Sequence, residues 1–144
     1  MHLLFLAFAI ATGVQLDPAG SVIDLGSMPI GMAVAPGGDK IAVVLSGWRE
    51  QGVQIVDVKT QRVTQTLTQP AAFLGAAFSS DKLFVSGGND DSIFVYAWKD
   101  GTATFDHKIA LGKSRYPAGI AISSDGKRLY VAENVADQLA VIDL

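Results

Sequence analysis

The sequence repeats a short pattern at a spacing of 44 residues. Gly31, Gly75 and Gly119 each begin a tetrapeptide of the form glycine, apolar residue, alanine, apolar residue. A turn rich in Gly, Ser and Asp follows each tetrapeptide, and an apolar segment with a basic first residue follows each turn. Chance rarely keeps such a register, so the chain is restricted to architectures in which one small unit stacks on the next.

Each repeat is predicted to contain short strands. Its apolar segments are rich in Val, Ile, Phe and Tyr, are interrupted by turn residues, and are too short for helices. Four antiparallel strands in about 40 to 45 residues is the spacing of β-propeller blades. The predicted fold class is therefore all-β, a β-propeller fragment of about three four-stranded antiparallel blades. The predicted blades span about residues 29–68, 72–111 and 117–144, the last one incomplete.

The apolar patterns of the strands indicate which of them are inside. Ile41–Leu45 is apolar without alternation, so both faces of this strand are predicted to be covered by neighbouring sheets. Arg62–Thr68 alternates between polar and apolar residues, as expected of an outer strand. Val22–Leu25 is similar to these fourth strands and is predicted to close a preceding blade.

The N-terminus is different in kind from the repeats. Leu3–Ala11 is an unbroken apolar run that ends in the small-x-small tripeptide Ala9-Ile10-Ala11. This pattern predicts a signal peptide over residues 1–11 and a periplasmic or extracellular protein, although no Lys or Arg precedes the run. The alternative is a buried strand. No segment approaches the roughly 20 apolar residues that span a bilayer, so no membrane span is predicted.

The third repeat carries a family resemblance. Ser124-Asp-Gly-Lys-Arg-Leu-Tyr-Val-Ala-Glu-Asn134, followed by Leu139-Ala-Val-Ile-Asp-Leu144, resembles the YVTN-repeat propellers. Leu83–Tyr96 is similar to YncE-like propellers that precede a phosphoesterase module. Over residues 20–144 the resemblance implies part of a seven-bladed, exported propeller with a possible phosphoesterase partner downstream. The first repeat departs from the pattern, with Val44-Leu45-Ser46 where the fuller motif has a small residue and asparagine.

Composition and motifs argue against several kinds of chemistry. A net charge of −3 and a pI near 5.1 give no broad basic field, so nucleic acid is an unlikely partner. The chain has no cysteine, and it lacks the common hydrolase and nucleotide-binding motifs. His107 is predicted to be a surface residue. Asn89-Asp90-Asp91 could ligate calcium, but a solvated loop is favoured. No catalytic residue, cofactor or metal is therefore predicted.

The loops between second and third strands are predicted to lie together at one end of the propeller, where ligands usually enter. Trp48 and Arg49 suit stacking and anion contacts, and the favoured alternative folds Trp48 over its own blade with Arg49 paired to Glu50. Tyr116 is predicted either to line the same end or to pack between blades. The candidate ligand-face residues are Trp48, Arg49, Asn89, Asp90, Glu133 and Asn134.

Three blades cannot close a ring, so the outermost ones are predicted to expose apolar faces. The partners expected for these faces are the remaining blades of a longer chain or a second copy of this one. The favoured function is noncatalytic binding or scaffolding. The alternatives, both implied by relatives of the YVTN-repeat propellers, are a lactonase and a single-stranded DNA-binding propeller.

Overall fold

The computed structural model of the protein describes residues 20–144, so the signal peptide predicted at residues 1–11 lies outside the described part. Residues 20–144 form three antiparallel sheets in which neighbours along the chain are neighbours in the sheet. The first sheet contains β1 (Pro29–Val34), β2 (Lys40–Ser46), β3 (Gln51–Asp57) and β4 (Arg62–Gln69). The second contains β5 (Ala76–Phe78), β6 (Lys82–Ser86), β7 (Ser92–Lys99) and β8 (Thr102–Ala110). The third contains β9 (Pro117–Ile122), β10 (Arg128–Glu133) and β11 (Gln138–Asp143).

Local chemistry sets the turns between these strands. Gly37 and Gly38 have φ values of 97° and 76°, a region that side chains disfavour, and they reverse the chain between β1 and β2. The Gly38 amide donates to the Ala35 carbonyl at 3.0 Å. At the open end of the next hairpin the Lys40 ammonium pairs with the Asp57 carboxylate. The turn residues therefore reverse the chain as the repeat pattern predicts.

The first and second sheets pack face to face. Their shared core contains Ala42, Val44, Val53 and Ile55 from the first sheet and Leu83, Val85, Phe94 and Tyr96 from the second. Nearly all of these side chains are fully buried. β2 is also covered on its other side, by Ile23 and Leu25 of the segment before β1 rather than by a neighbouring sheet, and its run Ile41–Leu45 is apolar on both faces.

The second and third sheets pack in the same way. Phe84, Ile93 and Val95 point away from the first sheet and meet Leu129 and Val131 of the third. The second sheet is therefore sandwiched between two others, which is the arrangement of successive propeller blades. The predicted all-β fold class, a propeller fragment of stacked antiparallel sheets, is confirmed.

Glycine sets the closeness of the innermost strands. A Cβ atom added at Gly31 would overlap the carbonyl oxygen of Leu74, and one added at Gly75 would overlap that of Ala118. Each contacted residue immediately precedes the repeat glycine of the following sheet. The first tetrapeptide residue is therefore glycine because the backbone of the next sheet lies directly against it.

Val22–Leu25 lies against the first sheet but forms no ladder with another strand. Ile23 and Leu25 pack onto a core of Val43, Leu45 and Val56, on the side of the sheet away from the second sheet. The Gly26 amide donates to the Gln54 side chain at 2.9 Å, which fixes the entry into β1. No helix within residues 20–144 is long and apolar enough to cross a bilayer.

Candidate functional site

The antiparallel topology brings two kinds of connection to the same end of each sheet. The loop between the second and third strands of each sheet lies at this end, and the chain returns to the same end before it enters the next sheet. We call this the loop end. It consists of the loops at residues 47–50, 87–91 and 134–137 and the connections at residues 70–75 and 111–116.

Asp91 braces the loop end between the second and third sheets. Its carboxylate accepts hydrogen bonds from the backbone amides of Ser114, Arg115 and Tyr116, each at 2.8 Å. These hydrogen bonds hold the pKa of Asp91 below its ordinary value, and the bond from Tyr116 has the largest effect. Ser114 and Tyr116 have φ values of 57° and 49°, which non-glycine residues rarely adopt. The hydrogen bonds to Asp91 therefore also hold a strained connection.

Asp90 is engaged in the same loop. Its carboxylate accepts a hydrogen bond from the Ser92 hydroxyl and another from the Lys108 ammonium at 2.9 Å. Burial opposes ionisation of Asp90, but these two bonds outweigh it and lower its pKa. Asn89 is exposed beside it, on the 3₁₀ turn Gly88–Asp90. Within residues 20–144 no three His, Cys, Asp or Glu side chains are grouped so as to hold a metal ion.

Glu133 is buried at the end of β10 and pairs with Arg115. The distance from the Arg115 guanidinium to the carboxylate is 3.4 Å, and the same nitrogen donates to the Gln138 side chain at 2.7 Å. Asn134 is exposed, and its backbone amide donates to the Tyr116 carbonyl at 3.1 Å. These bonds connect the third loop to the connection that Asp91 braces.

An aromatic contact extends the braced region toward the first sheet. The ring of Tyr116 meets the ring of Phe73 edge-on, with centroids 5.1 Å apart. A Cβ atom at Gly88 would touch Phe73, so the second loop lies close over the same pair. Tyr116 therefore packs between sheets, which is one of the two positions predicted for it. We call Phe73, Asp91, Arg115, Tyr116 and Glu133, with their bonds, the braced network.

Trp48 and Arg49 lie outside the braced network. The Trp48 side chain is 99% exposed, so it does not fold over its own sheet as the favoured interpretation of the sequence had it. Ser27, Trp48, Arg49 and Glu50 border an open depression of about 360 Å³. Within residues 20–144 no hydrogen bond joins Trp48 or Arg49 to the other loops. Trp48 is therefore a large apolar surface presented to solvent.

The structure thus divides the six candidate residues into two groups. Asp90, Glu133 and the backbone of Asn134 hold the protein together, whereas Trp48, Arg49 and the Asn89 side chain are presented outward. The roles of Asp91 as the brace of the connection and of Arg115 as the partner of Glu133 were not predicted from the sequence. The signal for Asp91 was its position directly before β7, where an acidic residue can accept amide hydrogen bonds in a turn.

A second concave region lies at the opposite end, between the second and third sheets. It is an open cleft of about 840 Å³ with an apolar floor and a polar rim. The floor includes Phe84, Ile109, Ile122 and Ile142, and the rim includes Lys82, His107, Asp125 and Asp143. Because β8 closes the second sheet and the third sheet ends at β11, this cleft lies beside the free outer edge of β11.

Comparison with known proteins supports the fold. No protein-family model matches the sequence, and no curated protein does. A structure of Kuenenia stuttgartiensis hydrazine synthase is similar, with a TM-score of 0.70 and 25% identity over 89% of this chain and 36% of that one. The periplasmic gluconolactonase PpgL of Pseudomonas aeruginosa has a TM-score of 0.70 and 16% identity over 81% of this chain and 38% of that one.

The β-propeller domain of Cps50 (Swd1) from Myceliophteria thermophila is a third match. Its TM-score is 0.60, with 12% identity over 86% of this chain and 41% of that one. This chain therefore spans less than half of the structures that it resembles. Together with the stacked antiparallel sheets, these matches place residues 20–144 among β-propeller folds.

Proposed function

We propose that this chain is a noncatalytic binding and scaffolding segment of an exported β-propeller, with the loop end as its binding face. The observation that carries the proposal is that the carboxylates at the loop end are hydrogen-bonded to other groups of the same chain. Asp90, Asp91 and Glu133 each accept bonds from groups of the second and third sheets. Carboxylates held in this way stabilise loops, whereas acid–base catalysis needs a carboxylate aimed at a substrate.

Trp48 and Arg49 favour a particular chemical class of ligand. An exposed indole offers a flat apolar surface for stacking, and the neighbouring guanidinium offers charged hydrogen-bond donors. A ring-containing anion satisfies both groups at once. The depression beside them is shallow, so the expected binding is weak unless other parts of a larger ring contribute contacts.

Fluorescence titration tests the binding face. Trp48 is exposed, whereas Trp98 is half-buried against Phe78, with ring centroids 4.9 Å apart, so a ligand at the loop end should change mainly the emission of Trp48. The probes are adenosine monophosphate, glucuronate and an oligothymidylate. We expect at least one to quench the emission, and Trp48→Ala to abolish the response. Val58→Ala, an exposed truncation at the opposite end, is the matched control and should bind normally. No response to any probe would contradict the proposed ligand class.

The lactonase alternative is favoured by one observation, the similarity to the Pseudomonas aeruginosa gluconolactonase. At 16% identity this similarity supports a shared fold rather than a shared reaction. Hydrolysis of gluconolactone, followed by acid release with and without added divalent cations, decides between the two functions. We expect the rate with the chain to equal the buffer rate. A cation-dependent acceleration would favour the lactonase.

The finer family assignment and the location are also proposals. The YVTN-like residues 124–134 support membership of that family, and the apolar run at residues 3–11 supports export. A phosphoesterase domain following the propeller is part of the same proposal. Expression in a bacterial host, with N-terminal sequencing of the periplasmic fraction, should give a chain that begins near residue 12. Retention of an uncleaved chain in the cytoplasm would contradict export.

A further inference from the structure

The sequence contains two Asp-Gly pairs, and each lies in a hairpin turn of the structure. Asp100-Gly101 joins β7 to β8 in the second sheet, and Asp125-Gly126 lies between β9 and β10 in the third. Both aspartates are exposed, and both turns are at the end of the sheets opposite to the loop end. The two pairs therefore share their composition and their exposure to solvent, and they differ in the hydrogen bonds that surround them.

An aspartate followed by glycine undergoes a rearrangement that needs no enzyme. The backbone amide nitrogen of the glycine attacks the side-chain carbonyl carbon of the protonated aspartate, and a nitrogen–carbon bond forms. One carboxyl oxygen leaves as water, carrying the acid proton and the amide proton. The resulting five-membered succinimide takes up one water, and opening at the former backbone carbonyl leaves the chain running through the side chain, as isoaspartate. One water is released and one is consumed, and nothing is oxidised or reduced.

The turn at Asp100 leaves both reacting groups free. Within residues 20–144 the Asp100 carboxylate makes no hydrogen bond or ion pair, and the Gly101 amide donates to no other group. Asp100 and Gly101 have φ values of 50° and 76°, the left-handed geometry of a two-residue hairpin turn. An open depression of about 440 Å³, bordered by Gln65 and Thr102 among others, lies beside the pair and gives water access to it.

The turn at Asp125 holds both reacting groups in place. The Gly126 amide donates to the Ser123 carbonyl at 2.9 Å, which engages the attacking nitrogen. The Asp125 carboxylate accepts hydrogen bonds from the Ser123 hydroxyl at 2.6 Å and from the Lys127 amide at 3.1 Å. The bond from Ser123 has the largest effect in holding the pKa of Asp125 below its ordinary value, which disfavours the protonated carboxyl that the rearrangement needs. Ring closure at this pair therefore breaks hydrogen bonds that the Asp100 pair lacks.

We propose that Asp100-Gly101 is a site of spontaneous isoaspartate formation and that Asp125-Gly126 is protected from the same reaction by the bonds of its own turn. Ring closure requires rotation of the backbone at Asp100, and an exposed hairpin tip opens locally at a lower free energy than the strands that it joins. Gly101 has no side chain to hinder the approach of its nitrogen. Water is the only co-reactant.

The modified turn lies beside a contact between the first and second sheets. The Gln65 side chain of β4 accepts a hydrogen bond from the Ala103 amide at 2.9 Å and donates one to the Ala103 carbonyl at 2.7 Å. A Cβ atom added at Gly101 would lie 3.0 Å from the Lys40 side chain, so the turn itself also touches the first sheet. An isoaspartyl residue at position 100 adds one carbon to the backbone of the turn and displaces Ala103 relative to Gln65. We therefore expect the modification to loosen both bonds.

Ageing of the purified chain at mildly acidic pH, followed by peptide mapping with mass spectrometry, tests the proposal. An isoaspartyl peptide has the same mass as its parent but resists an endoproteinase that cuts before aspartate. We expect isoaspartate to accumulate at Asp100 at least tenfold faster than at Asp125. In guanidinium chloride the two rates should become similar, so the unfolded chain is the matched control. Asp100→Gly, which suits a left-handed turn, should form no isoaspartate at this turn.

Hydrogen exchange measures the effect on the contact between sheets. Asp100→Asn should form isoaspartate faster at neutral pH, because asparagine closes the same ring with loss of ammonia and also tolerates the left-handed backbone. After ageing, the Ala103 amide of this variant should exchange several-fold faster than that of Asp100→Gly aged in parallel. The amides of β6 are the internal control and should be unchanged.

Three results would count against the proposal. Equal rates at Asp100 and Asp125 in the folded chain would show that the bonds of the Asp125 turn give no protection. An Asp100 that stays unmodified in the folded chain, while the unfolded chain reacts, would show that this turn does not open far enough for ring closure. Unchanged exchange at Ala103 in the modified chain would remove the expected effect on the first and second sheets.

Discussion

Asp91 illustrates how a single side chain determines a connection between sheets. Asp91 has a φ of 51°, and Ser114 and Tyr116 also have positive φ values that are unfavourable for residues with a side chain. Three short hydrogen bonds from backbone amides to the Asp91 carboxylate hold this conformation. Asparagine tolerates the same left-handed backbone. Substitution by asparagine therefore changes the charge and the acceptors without changing the backbone preference.

We predict that Asp91→Asn loosens the connection at residues 114–116 while the sheets remain folded. The amide of asparagine has one acceptor oxygen, so at least one of the three amides loses its partner. Hydrogen exchange measured by NMR should be several-fold faster at Ser114, Arg115 and Tyr116. The amides of β6 and β7 serve as the internal control and should be unchanged. Unchanged exchange at residues 114–116 would show that Asp91 does not hold the connection.

Asp57 predicts a pH dependence. Hydrogen bonds from Lys40 first, and then from Thr60, hold the pKa of this carboxyl well below its ordinary value of 3.8. A lowered pKa stabilises the folded state above the unfolded value, and this stabilisation is lost as the pH falls through the folded value. Asp57→Asn should lower the Tm by a few degrees at most at pH 7, and the difference from the unsubstituted chain should shrink below pH 4.

The third sheet provides the matched control for this experiment. Asp143 pairs with Arg128 at 3.5 Å in the equivalent position, but its side chain is 92% exposed. An ion pair so exposed contributes little to stability. Asp143→Asn should leave the Tm unchanged at both pH values. A Tm difference for Asp57→Asn that grows toward low pH would contradict the assigned direction.

Single residues were the least predictable part of this molecule. The sequence could indicate that residues 47–50 form a loop, but Trp48 could either cover its own sheet or face solvent, and the favoured choice was wrong. The reason is physical, because a side chain at a loop tip is positioned by contacts from distant segments. The pairing of Glu133 with Arg115 joins residues 18 positions apart and was missed for the same reason.

At the level of elements, the repeat glycines carry the clearest consequence. Gly75→Ala and Gly119→Ala introduce the same methyl group at equivalent positions in the innermost strands. The first would overlap the Ala118 carbonyl, whereas the second meets nothing within 4 Å. We predict that Gly75→Ala lowers the free energy of unfolding by about 1 to 3 kcal/mol or more, the usual effect of overpacking. Gly119→Ala should leave it unchanged.

Urea denaturation at low micromolar concentration measures both variants. Comparable destabilisation by the two substitutions would indicate an intrinsic requirement for glycine in the strand rather than a close approach between sheets.

The strands themselves were well predicted, because apolar runs bounded by turn residues depend on local sequence. Val22–Leu25 was predicted to be the outer strand that closes a preceding blade. Ile23 and Leu25 pack on the first sheet, but the segment forms no ladder.

The repeat period alone was sufficient to predict three stacked sheets. Identical spacing forces identical units, and apolar strand faces can be buried only by neighbouring units. What covers the outer faces could not be predicted, since Met32 and Leu139 are apolar for the same reason as their buried counterparts.

The uneven bracing of the loop end affects how an arriving molecule would be held. Around Tyr116 the surface is rigid before anything arrives, so contacts made there require no further ordering. Around Trp48 the side chains make few contacts, and each one immobilised on binding loses about 0.5 to 1.5 kcal/mol of conformational freedom. The entropic penalty of recognition would therefore fall on one corner of the surface. Stiffening that corner, for example by a proline that fits the backbone, is the most direct route to tighter affinity.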